Sequence, residues 1–309
     1  MCEGTVSFET LLIGGSTSAE DYTSSLELIS QNRTCTPQMD QTPVPKYMAG
    51  AAVLGSKIFY CGGKDDYSKF NSCHSFDLSK EGGGWQEEPS MVEARLAFGL
   101  SVVADSLIAS GGLGSYGPLS SVEVFKAGDG WKHDLMLDMR ETKFGHCSVV
   151  VGSWLYTIGG FVGVNASSLV EALDTTDASP SWIMTASMAE KRYGHACHGG
   201  VFDGQKGIYV ADGSDEADEP LDSAEFYNTA KDIWQKIGPL ITGRTFPSMT
   251  MLGSDLIVSG GLNNHETSGL TSVETWNGCT WVEWEGMRLG VVRGGQAAVS
   301  VKAGALSCI

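Results

Sequence analysis

Five Gly-Gly doublets recur along the chain, at Gly14-Gly15, Gly62-Gly63, Gly111-Gly112, Gly159-Gly160 and Gly260-Gly261. Asp212-Gly213, in "IYVADG", fills the one gap. Successive steps from 14 through 62, 111, 159 and 212 to 260 are 48, 49, 48, 53 and 48 residues, and the long step holds a local insertion, "HGGVFDGQKG". A fixed period of this length is the signature of a repeat array. Each doublet closes an apolar run, as in "KIFYCGG" and "WLYTIGG". Two adjacent residues without side chains at the end of a strand mark a place where backbones approach closely. No doublet is followed by the Lys-Ser/Thr of a phosphate-binding loop, so the glycines read as architecture.

Other landmarks keep the same phase. About a dozen residues after each doublet comes a short strand, such as "SSVEVFKA" or "DSAEFYNT". A tryptophan follows at Trp85, Trp131, Trp182, Trp234 and Trp281; the first copy has "NRTCTPQM" in its place. A basic residue precedes the next doublet by sixteen positions at Lys46, Arg95, Lys143 and Arg244, and by twenty at Arg192. Each copy therefore reads as four short strands separated by turns, the content of one propeller blade.

The doublets, the tyrosine of "FYCGG" and "LYTIGG", the downstream tryptophan and segments such as "MVEAR" and "MAEKR" resemble the kelch repeat over nearly the whole chain. The resemblance implies an all-β, six-bladed propeller with four antiparallel strands per blade, as one domain spanning 1–309. The chain starts mid-repeat with "SFETLLIGG" and ends with "VVRGGQAAVSV". A strand over 293–301 is therefore expected to complete the first blade and close the ring, which removes exposed strand edges. Many kelch propellers recruit substrates for ubiquitin ligases alongside BTB and BACK domains; the residues here match the propeller part alone.

The net charge of −17 disfavours nucleic acid as a partner, because phosphate contacts need Lys and Arg. No apolar run is long enough to span a membrane, and "MCEGTVSFETLLIGG" lacks the basic start and apolar core of a signal peptide. Of the eight cysteines, Cys61 and Cys73 fall in phase-matched slots of neighbouring strands in one blade. They form either a cross-strand disulfide or a pair of buried thiols. Sequons at Asn32 and Asn165 lie in turns or loops. Together with the cysteines they tilt the reading towards an extracellular setting, against the missing signal peptide.

Catalytic and metal chemistry find little support. No C-x-x-C occurs. His146 and His195 share one repeat slot, which points to packing within a blade; His74, His133 and His265 are scattered. Galactose-oxidase-like copper enzymes draw part of their site on further domains. The Glu-x3-Asp-x3-His motif of plant specifier proteins is broken here, since His133 has Asp129 but Phe125 in the Glu position. No motif of sialic-acid epimerases or of nucleophilic hydrolases is present. The acidic loop "DGSDEADEPLDS" lacks EF-hand spacing but is weighed as a calcium loop. No cofactor and no metal are expected. The loops after the doublets should leave on one face of the ring, and rigidly held loops carry function. Tyr22, Asp66, Tyr67, Tyr116, Phe161, Glu216 and His265 are the candidate binding residues on them, because tyrosine suits contact surfaces and the acids suit a basic ligand. The expectation is a monomeric interaction module for a protein or peptide of basic character. The alternative is an enzyme or carbohydrate-binding propeller working from the central pocket.

Overall fold

A computed structural model describes residues 7–17, 21–31, 33–80, 82–202, 205–263 and 269–308, and all regular structure among them is β. Six four-stranded antiparallel sheets carry the fold. Each of the second to sixth sheets takes its strands from consecutive chain. The second, for example, runs Gly50–Leu54, Lys57–Cys61, Cys73–Asp77, Gln86–Glu88. The others open with Gly99–Val103, Cys147–Val151, Ala196–Phe202 and Ser248–Leu252. The first sheet differs: Ala297–Lys302 from the C-terminal end pairs with Phe8–Ile13, which pairs with Leu26–Ser30 and then Arg33–Cys35. A small three-stranded sheet joins Lys143–Phe144, Phe161–Val162 and Asn165–Ala166.

The strand expected over 293–301 begins later. Arg293 ends the long last strand of the sixth sheet, Trp281–Arg293. A Gly294-Gly295 turn then starts Ala297–Lys302, because Arg293 must keep the buried position of the other phased basic residues.

Burial explains the sequence pattern of each sheet. Second strands such as Ser106–Ser110 are buried on both faces and so read as unbroken runs. Fourth strands such as Gln86–Glu88 lie outermost and are polar. Successive sheets pack face to face. Phe59 and Cys61 of the second meet Phe98, Leu107 and Phe125 of the third; Ile108 and Val124 of the third meet Leu155 and Leu173 of the fourth. The series returns to its start, since Ile257 and Val273 of the sixth pack on Leu12 and Ile29 of the first. The innermost strands also neighbour one another in cyclic order, with Ala297–Lys302 against Gly50–Leu54. Tryptophans tie three of the sheets to the segment before them: Nε1 of Trp85, Trp182 and Trp234 donates to the carbonyls of Asp40, Leu137 and Ala186 at 2.9, 2.9 and 2.8 Å.

The doublets sit where sheets meet. Gly62 and Gly63 have φ of +63° and +85°. A Cβ on Gly62 would stand 2.6 Å from the carbonyl oxygen of Arg95, in the next copy. The second residue of every doublet donates its N–H to the carbonyl of the basic residue that opens the next sheet. Gly63 reaches Arg95 at 2.8 Å, Gly112 reaches Lys143 at 2.8 Å, Gly261 reaches Arg293 at 2.9 Å, and Gly15 reaches Lys46 at 3.0 Å. Gly160 and Gly213 do the same to Arg192 and Arg244. In the five Gly-Gly copies a Cβ in either slot would stand 3.0 Å or less from a neighbouring atom, while the fifth copy accommodates Asp212 in the first slot and keeps glycine in the second.

Candidate functional site

The phased basic residues anchor the doublet end of each sheet. Lys46, Arg95, Lys143, Arg192, Arg244 and Arg293 are all fully buried. Five of them meet a buried glutamate on the third strand of their own sheet or its equivalent: Arg95–Glu123 at 2.6 Å, Lys143–Glu171 at 2.8 Å, Arg192–Glu225 at 3.2 Å, Arg293–Glu27 at 3.3 Å, and Arg244–Glu274. Glu123 and Glu274 also accept two backbone N–H groups each, from Val92 and Glu93 and from Ile241 and Thr242. Buried charges paired in this way fix the connecting segments in one geometry. Asp212, in the doublet slot of the fifth copy, is buried with φ +63° and lies 3.6 Å from Nε of Arg244. Burial raises its carboxyl well above the usual range.

Two residues beyond each basic residue, the backbone forms a closed circuit. Ala97 N–H donates to Met48, Gly145 to Ala97, Gly194 to Gly145, Phe246 to Gly194, Gly295 to Phe246, and Met48 to Gly295, at 2.6 to 2.9 Å. The six bonds return to the residue from which they started. All six residues have positive φ, between 49° and 62°. A depression of about 120 Å³ is lined by these residues and by Ala49, Phe98, His146, His195, Pro247 and Gln296.

An arc of aromatic rings stands around this circuit. Tyr22 stacks on Tyr47 (5.7 Å), Tyr47 meets Phe246 (6.4 Å), Phe246 meets Tyr193 (6.2 Å), Tyr193 meets Phe161 (5.2 Å) and Phe161 meets Phe144 (5.4 Å). All six rings are half-buried. A Cβ on Gly295 would collide with the Tyr47 ring, and one on Gly194 would stand 3.0 Å from Phe246. The bare backbone of the circuit thus gives the rings their room. One carboxylate is bonded to the arc, and others lie on the doublet loops. Tyr193 donates its hydroxyl to Asp218, and burial followed by that carboxylate raises the phenol's pKa. Asp215 Oδ1 accepts the N–H groups of Ala217 and Glu219, Asp65 Oδ1 those of Tyr67 and Ser68, and Glu216 pairs with Lys191.

The sequence-predicted residues distribute as follows. Tyr22 and Phe161 belong to the arc. Tyr67 and Tyr116 project from their loops, 93% and 106% exposed, and Asp66 and Glu216 are exposed as well. Asn165 is exposed on the small sheet. His265 and Asn32 lie outside the described residues. Of the carboxylates weighed for calcium, Asp212, Asp215, Glu216 and Asp218 have separate partners, and no group of three His, Cys, Asp or Glu among the described residues is arranged to hold a metal. His146 and His195 are buried, and burial lowers both, His195 to about 3. The sulfurs of Cys61 and Cys73 are at bonding distance across paired strands, as are those of Cys35 with Cys308 and Cys147 with Cys197. Tyr47, Phe144, Tyr193 and Phe246 were not singled out from sequence. Their signal was available, since each lies one or two residues after a phased basic residue.

No protein-family model matches the chain. It is 28% identical over 207 residues to Kelch-like protein 26 of Danio rerio, covering 65% of this chain and 33% of that protein. It is 25% identical over 252 residues to Kelch-like protein 36 of Bos taurus (77% and 39%) and 26% identical over 286 residues to Kelch-like protein 34 of Homo sapiens (82% and 42%). The chain thus spans well under half the length of these relatives. The solved structure of YjhT superposes with a TM-score of 0.69 at 13% identity, over 92% of this chain and 99% of that one, a likeness of fold. With its phased landmarks and its four-stranded antiparallel sheets, the chain is similar to the Kelch-like proteins in sequence and to a β-propeller in fold, which supports the kelch-repeat family.

Proposed function

We propose that residues 1–309 form one six-bladed, monomeric propeller domain, closed by the C-terminal strand, that works as a non-catalytic interaction module. The ring reading is supported by the return of the sheet series to its start, by the pairing of Ala297–Lys302 with Phe8–Ile13, and by the six-membered backbone circuit. The partner is a protein or peptide of basic character, bound on the face that carries the doublet loops. One observation carries this reading: half-buried aromatic rings stand around the backbone circuit, Asp218 accepts the hydroxyl of one of them, Tyr193, and Asp66 and Glu216 are exposed on the doublet loops. Rigid aromatic groups beside carboxylates suit cationic ligands. The Kelch-like relatives agree with an interaction role. The three cysteine pairs fit an oxidising setting.

The test is a combined Asp66→Asn, Tyr67→Ser, Tyr116→Ser, Glu216→Gln variant, titrated with a dodecamer alternating Arg and Ser. All four positions are exposed, so the melting temperature should hold. Binding is expected to weaken about tenfold or more. Equal affinity of variant and parent, or preference for a glutamate-rich dodecamer, would refute the assignment.

A further inference from the structure

Within that reading, the aromatic arc has two unlike ends. At one end a cation is already in place: Nζ of Lys64 lies 5.5 Å from the ring centroid of Tyr22, which stacks on Tyr47. At the other end Phe246, Tyr193 and Phe161 meet edge to face, so that ring faces and edges of different copies enclose one corner beside the axis. Among the described residues no Lys or Arg side chain is seated over those three rings. A carboxylate is built onto that same corner, since the Tyr193 hydroxyl donates to Asp218, and the exposed Glu216 belongs to the same loop. The floor beneath is backbone: Gly145 and Gly194 of the circuit present no side chain, and a Cβ on Gly145 would stand 3.4 Å from Cδ2 of Tyr193.

We propose that Tyr193, Phe246 and Phe161, with Asp218, form a receptor for a single arginine side chain presented by the protein or peptide partner. A guanidinium is planar, stacks on aromatic faces and offers paired donors to a carboxylate, whereas an ammonium offers a point charge. Two stacking surfaces at an angle and a carboxylate at their edge match the former. This rests on the reading that the doublet-loop face takes a basic partner, and it moves the specificity from the loop tips to the axis.

The probe is the capped peptide Gly-Ser-Gly-Arg-Gly-Ser-Gly, with lysine and citrulline counterparts, titrated into the full chain by calorimetry. Citrulline keeps the shape of arginine and removes its charge. The arginine peptide should bind about tenfold more tightly than the citrulline peptide, with lysine between them. Tyr193→Leu should lose about tenfold in affinity at unchanged melting temperature, and Tyr193→Phe should stay within about threefold. Should Tyr193→Leu fail to fold, Asp218→Asn, at an exposed position, is expected to lose severalfold. Equal binding of arginine and citrulline peptides, or undiminished binding by the folded Tyr193→Leu chain, would overturn the receptor. If the Arg/Ser dodecamer still binds Tyr193→Leu as it binds the parent, the receptor fails and the basic-partner reading stands. If it binds neither, both fail.

Discussion

Opposite Lys46 stands His74, where the five other copies place a glutamate. Nζ of Lys46 is held by the carbonyl and hydroxyl of Ser72 and lies over the rings of Tyr60 and Phe70, with no carboxylate beside it. The same copy carries Pro43 in place of the first of the two N–H donors to the glutamate, so one donor fewer there asks for the missing carboxylate. Burial alone pushes the Lys46 ammonium down to about 8. The unfolded chain holds this proton up to 10.5. Between those two values it binds more protons than the folded chain, and stability rises with pH. Lys46→Met should therefore raise the unfolding free energy at pH 7, by on the order of 3 kcal/mol at most, and flatten the rise between about pH 8 and 10. Urea melts at several pH values read both effects. Arg95→Met, in the equivalent slot, should go the other way by about 3–5 kcal/mol, because Glu123 is left buried without its cation.

The cysteine pairs act between strands and sheets. Cys61–Cys73 joins paired strands of one sheet. Cys147–Cys197 links the innermost strands of the fourth and fifth sheets, and Cys35–Cys308 fastens the C-terminal segment to the outermost strand of the first. The last encloses the longest stretch of chain, 273 residues apart in sequence, and secures the sheet that joins the two ends. Replacing both Cys35 and Cys308 by Ser should cost about 2–4 kcal/mol and lower the thermal midpoint, as calorimetry would show. An unchanged midpoint would mean that strand pairing alone holds the first sheet together. These links also show what periodicity conveys. Cys61 and Cys73 were legible as partners because both sit in phase-matched slots of adjacent strands. Cys147 and Cys197 occupy non-equivalent slots of different copies, and Cys308 lies beyond the last repeat, so their pairing depends on the geometry between sheets. The doublets, tryptophans and strand order were readable for the same reason, being local and repeated. The aromatic arc was not, because its rings come from different copies and meet only in the folded chain.

At the scale of the molecule, a net charge of −17 gives the chain a field that attracts cationic partners and weakens with salt. Binding of a basic peptide should accordingly weaken as ionic strength rises, while its dependence on Tyr193 should persist, since stacking survives screening. Place matters more than charge, because an acidic surface attracts cations everywhere whereas the arc is one local feature. Hydrogen exchange of the full chain, followed by mass spectrometry with and without the Arg/Ser dodecamer, reads place directly. Protection confined to the doublet loops and the segments that follow the basic residues, around 64–72, 193–195, 213–222 and 245–247, is the expected result. Protection spread over the outermost strands, or found only at the opposite ends of the sheets, would contradict the assignment of this face as the binding surface.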